Sequence, residues 1–239
     1  MPTDRNREII GRRDRPAKPP LSRDVIVATA LGILEKDGLS GLSLRRVAAA
    51  LDTGASSLYV YLANLNELYA LMLDHALSEM PLPEDSGQFW RERLKTYLAA
   101  YLGVLNRRRG LAELAMSTLA TGTNSLRMWE VLLGFLKEGG IADTALVAGV
   151  DMLLLHVTAI AKEESSQRAH AEELESGPNA LADVPASQFP LATALFKRGM
   201  FSGGGNDDAR VEWQLDVILD GIGRNQKVSW SPSTAKRKK

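Results

Sequence analysis

The chain has 239 residues, 29 Lys/Arg against 29 Asp/Glu, 45% apolar residues and no cysteine. That length suits one or two domains with a sizeable core. The missing thiol excludes disulfide frameworks, Cys-based zinc sites, iron–sulfur clusters and cysteine nucleophiles. The even balance of charge excludes a uniformly basic nucleic-acid coat protein and an acidic solvating chain, but it hides a split. Residues 1–66 carry a net +3, residues 67–226 a net −8 and residues 227–239 a net +5. A basic front end on an acidic body suggests that one end meets a polyanion.

Residues 1–20 read as a disordered basic arm. They hold Pro2, Pro16, Pro19, Pro20 and six Lys/Arg, with one apolar pair, Ile9–Ile10, too small to nucleate a core. No apolar stretch there reads as a secretory signal, so a cytoplasmic location is expected. From residue 21 the pattern turns helical, and strand signals are nearly absent. Ser22 is placed to cap a first helix whose apolar face is Ile26, Ala30, Ile33 and Leu34, with Leu21 and Ile26 as a hydrophobic staple and Gly38 at its end. Ser43 caps a short second helix that turns Leu44, Val47, Ala48 and Leu51 inward. A break at Asp52-Thr53-Gly54 leads into a short third helix carrying Leu58, Tyr59 and Leu62. Asn64 opens a longer fourth helix with Leu68, Leu71, Met72 and His75, which Pro81 and Pro83 bring to an end.

Two short helices separated by about four residues and braced on both sides are the sequence form of a helix-turn-helix. Val47, Ala48, Leu51, Leu58 and Leu62 are spaced to pack the pair together, while Ala55, Ser56, Ser57 and Tyr59 face outward. Small outward residues let a helix backbone approach base edges in a major groove. An ordinary helical hairpin of an all-α core remains the alternative on pattern alone.

The remainder reads as a larger helical unit, with helices expected near 87–108, 110–120, 124–138, 144–164 and 208–223. Residues 145–161 are apolar almost all round, interrupted by Asp151 and His156. That stretch is too short and too interrupted for a membrane span, so it is expected to be covered on every side by its own domain or a second subunit. Residues 165–206 read as a partly ordered excursion between two packed helices. The expected organisation is a basic arm at 1–20, a helix-turn-helix domain at 21–80, a helical ligand-binding and dimerisation domain at 84–226 and a basic tail at 227–239.

Ser43-Leu44-Arg45-Arg46-Val47-Ala48, then Ser57-Leu58-Tyr59-Val60-Tyr61-Leu62, Asn64 and Glu67-Leu68, resemble the N-terminal domain of TetR-family transcriptional repressors. Asp37-Gly38-Leu39 and the leading helix fit as well, and the branch of the tetracycline repressor is the nearest in kind. The resemblance implies an all-α fold in which a three-helix, helix-turn-helix head precedes a larger helical body for ligand and dimer contacts. It implies that Arg45 reaches a guanine edge and that Thr53, Ala55, Ser56 and Ser57 lie over bases. Ser43, Arg46, Tyr59 and Tyr61 are implied to hold phosphates. The chain departs from the family in three places. Asp52-Thr53 stands where the turn usually has Gly-Val, Leu62 replaces an aromatic, and Leu65 replaces a basic residue at the head of the fourth helix. Asp tolerates the left-handed turn better than most residues, whereas Leu65 removes a phosphate contact.

The body is rich in large apolar residues that suit a cavity between helices, mostly apolar with a few polar groups. The residues expected to line it are Trp90, Met116, Asn124, Met128, Trp129, Phe135, Met152 and His156. The expected partners are double-stranded operator DNA, a hydrophobic small-molecule effector and a second copy of the chain, held through helices near 144–164 and 208–223; no membrane partner is expected. The 208–223 helix is expected to offer Val211, Leu215, Ile218, Leu219 and Ile222 to its mate. No catalytic motif is present: there is no Gly-x-Ser-x-Gly elbow and no phosphate-binding loop, and the three histidines share no ligand spacing. Neither a cofactor nor a metal is expected. A helical carrier or enzyme without a DNA role is the competing reading; the basic arm and the Arg45–Arg46 pair beside a small-residue helix separate the two.

Overall fold

The computed structural model describes residues 20–83, 87–169, 186–198 and 208–227. The arm through residue 19, the tail beyond 227 and residues 170–185 lie outside that description. Every described element is helical or a turn.

Three of the first four helices start on the side chains that the sequence offers. The hydroxyl of Ser22 accepts from the Val25 amide at 3.2 Å, opening α1 (Arg23–Asp37). Ser43 does the same for Arg46 at 3.3 Å, opening α2 (Leu44–Ala50). Asn64 accepts from Glu67 at 2.9 Å, opening α4 (Leu65–Leu77). Each cap satisfies an amide that the helix cannot, a contribution of about 1 kcal/mol. Between α2 and α3 (Ala55–Leu58) the chain reverses through Asp52, whose φ of 50° is left-handed. The amide of Thr53 closes this turn on Ala48 O at 3.0 Å. Ile26, Ala30, Leu34, Val47, Leu58, Leu62 and Leu68 make the fully buried centre of this head. Leu65, the departure from the family's basic residue, packs against that core.

The body comprises α5 (Trp90–Arg107), α6 (Leu111–Ser117), α7 (Thr123–Glu138), α8 (Asp143–Ala169), α9 (Pro190–Lys197) and α10 (Asp208–Arg224). By length and composition α8 could cross a bilayer. It is instead the helix on which α5, α6, α7 and α10 all pack, with Val150, Leu153, Val157 and Ala161 buried along it. Within the stretch from 165 to 206, residues 165–169 continue α8 and 190–197 form a helix of their own, α9. One expectation needs correction. On α10, Leu215, Leu219 and Ile222 are buried against the chain's own body rather than offered to a second copy. The nearby Gly149 leaves room for the Ile222 side chain. Trp213 and Val217 are the large apolar residues of α10 left facing outward.

Head and body share one continuous apolar core. Helix α4 belongs to both, packing on α1 in the head and on α5, α6 and α7 in the body. Two glycines mark close approaches at this junction. Gly110, with φ of 82°, abuts Leu34 of α1 so tightly that an added Cβ would sit 2.9 Å from its methyl. Gly122, with φ of 140°, lets the start of α7 close onto Asp74 of α4, where a Cβ would collide with the carboxylate. Only glycine reaches such φ values without strain.

Candidate functional site

The outer face of the head presents Arg45 on α2 and Ser56 on α3, both exposed. Tyr59 and Val60 follow at 59% and 80% exposure, a large uncovered surface at the end of the short helix. Val60 escaped the sequence reading, since an apolar residue inside a Leu-Tyr-x-Tyr phrase reads as core. Thr53, Ala55, Ser57 and Tyr61 are half-buried along the same turn and helix. Arg46 is exposed but engaged: its guanidinium meets Asp37 at 2.6 Å and the Gly41 carbonyl at 3.3 Å. The Ser43 hydroxyl oxygen is used as a cap, yet its O–H remains free to donate. Arg23 holds the loop after α3 in place, donating to Tyr61 O at 2.9 Å and pairing with Glu67 at 3.6 Å.

A cavity of about 180 Å³ opens between α4, α5, α6, α7 and α8. Of the residues expected to line one, Met116, Met128 and Trp129 do so. The others sit elsewhere. Trp90 lies under Gly139. Phe135 stacks edge-on against Tyr97 with centroids 6.3 Å apart, on a separate hollow beside Pro81–Pro83. Asn124 is committed to Asp74. Met152 is 55% exposed and does not line the cavity. His156 faces α10, where burial is the main cause that pushes its pKa down, Gln214 pulls it up and Arg210 adds to the depression.

The sequence reading missed Leu73, Thr118, Asp151 and Thr158 on the cavity wall. It singled out both interruptions of the apolar α8 but placed the wrong one in the cavity. Residues 151 and 156 are five apart, which puts them about 140° apart around a helix, so one faces the cavity and the other faces α10. The polar lining is sparse. Thr158 Oγ1 donates to Leu154 O at 2.7 Å, so the buried Tyr101 hydroxyl donates to Thr158 at 2.9 Å. The buried Thr118 hydroxyl has no hydrogen-bond partner among the described residues.

Helix α4 ties the cavity to the head. Leu73 lines the cavity, and the next residue, Asp74, grips the start of α7. Its carboxylate accepts from the Ser125 amide at 2.8 Å, the Ser125 hydroxyl at 3.0 Å and Asn124 Nδ2 at 3.1 Å. A carboxylate at a helix N-terminus is also favoured by the helix dipole.

Residues 82–225 match the family described as "Tetracyclin repressor-like, C-terminal domain". The chain belongs to the TetR family. The repressor DrrR1 of Streptomyces coeruleorubidus is 34% identical over 223 residues, 89% of this chain and 81% of that protein. ActR of Streptomyces coelicolor, solved without ligand, superposes with a TM-score of 0.74 at 34% identity over 88% of this chain and 98% of ActR. ActR in complex with actinorhodin superposes at 0.72, with 33% identity over 88% of this chain and all of ActR. The tetracycline repressor of class C from Escherichia coli is 26% identical over 84% of this chain and 90% of that protein. Membership in this family makes the protein a ligand-responsive, DNA-binding transcriptional repressor.

Proposed function

We propose that the protein acts as a cytoplasmic homodimer that holds a palindromic operator and releases it when a largely apolar, ring-bearing molecule enters the α4–α8 cavity. The observation that carries this reading is the position of α4. Leu73 on the cavity wall and Leu68 in the head core belong to one helix, so a guest that displaces the wall moves the head. A ligand shifts the equilibrium between head positions only as far as it binds one of them better. The relative ActR is solved with actinorhodin, which supports a small organic molecule as guest, and Asp151 on the cavity wall offers it a polar contact. Asn124 belongs to the latch between α4 and α7 rather than to the guest.

Val147 and Met152 on α8, with Trp213 and Val217 on α10, are at least half exposed. A two-fold partner covers them in this reading, and the two recognition helices then meet major-groove faces about 34 Å or a multiple apart. Relatives named as repressors support a regulator over a helical enzyme or carrier. The test is footprinting on the DNA beside the protein's own gene, with unrelated DNA as competitor. Two symmetric half-sites protected by a dimer are expected. A single asymmetric half-site bound by a monomer would sink the reading.

A further inference from the structure

Where α5 ends and α8 nears its last turns, Asn106, Arg108, Arg109, Ser165 and Arg168 enclose a second hollow of about 430 Å³. Among the described residues its lining holds three guanidiniums and no carboxylate. Nearby acids neutralise only part of that charge. Glu79, two residues beyond α4, serves both Arg107 and Arg108. Arg168 donates to the neutral Asn106 at 2.7 Å, and the amide nitrogen of Asn106 donates to Glu164 at 2.6 Å. Among the described residues Arg109 pairs with no acid, and its side chain is exposed. The carboxyl ends of α5 and α8 each add about half a negative charge, less than the three lining guanidiniums supply.

We propose that this hollow is a second ligand site, which takes a small oxyanion carrying two or more negative charges. Planar guanidinium forks match phosphoryl and carboxylate oxygens in pairs, and the Ser165 hydroxyl and Asn106 amide add neutral donors. The site is chemically unlike the apolar cavity and does not depend on it. It also adjoins the junction of head and body, since Arg108 is bound to Glu79 just beyond α4 and Gly110 abuts Leu34 of α1.

Isothermal titration of the full-length protein with pyrophosphate and with citrate, at constant ionic strength, tests this. Saturable binding of at least one probe is expected, and the tighter one identifies the oxyanion as phosphoryl or carboxylate. The R109A/R168A variant alters two exposed side chains and, among the described residues, removes only the Arg168–Asn106 hydrogen bond, so it should still melt cooperatively with a small shift while affinity drops at least tenfold. R168K keeps the charge but not the fork and should fall between. Absence of binding, or equal affinity in R109A/R168A, would overturn the proposal. So would a variant that loses operator affinity and salt dependence but binds both probes normally, because the arginines would then be DNA-phosphate contacts.

Discussion

Arg45 and Arg46 are neighbours with different commitments. Arg46 is held by Asp37 and the Gly41 carbonyl, so its fork is already partly used. Arg45 is exposed on the outward face of α2, and we propose that it reads a base edge. Arg45→Ala should therefore cost about 1–3 kcal/mol of operator affinity and relax preference at one base pair per half-site; competition with operator variants measures this. A uniform loss across all sequences would make Arg45 a phosphate contact instead. Glu79 answers to pH. Hydrogen bonds from Arg108 and then Arg107 hold its carboxyl below the usual carboxylate range. Its folded pKa is thus below the unfolded one, so its stabilisation is complete above the ordinary carboxylate range and fades as pH falls through the folded value. Glu79→Gln should lower stability at neutral pH by about 1 kcal/mol or less, since the pair is partly exposed. Denaturant melts of variant and wild type should converge in acid.

At the scale of elements, the head was legible in the sequence because its signals are local. Ser22, Ser43 and Asn64 cap helices through contacts three residues away, and Asp52 makes its turn with its own backbone. The body was legible only as helices. Periodicity shows that Leu215, Leu219 and Ile222 share a face, but the same stripe serves a neighbour in the chain or a second copy. The fold spends it on the chain's own body and leaves Trp213 and Val217 outside. The cavity suffered from the same ambiguity: Met116, Met128 and Trp129 reach it, whereas Trp90, Phe135, Met152 and His156 are equally large but face elsewhere. Which residues share a hollow depends on helix rotation, which sequence spacing leaves undetermined. Two substitutions on α10 separate the roles. Leu215→Ala should cost about 2–5 kcal/mol of stability by opening a void in the body. Val217→Glu should leave the body folded and yield monomers by sedimentation. A folded dimer from Val217→Glu would move the interface to another surface.

In the whole molecule, α4 is the helix that runs from the cavity wall to the head core. Its Asp74 latch to α7 and the two glycine-tight seams leave few routes by which the cavity can change shape without the head sensing it. Coupling of this kind is typically worth about 1–3 kcal/mol, or roughly 5–150-fold in affinity. The most direct measurement is operator affinity by fluorescence anisotropy, with and without a ring-bearing apolar compound that thermal shift shows to bind the protein and whose binding is weakened by enlarging Ala115 on the cavity wall. Saturating compound is expected to weaken operator binding at least fivefold, with the dimer intact. Unchanged operator affinity at full occupancy of the cavity would contradict this coupling.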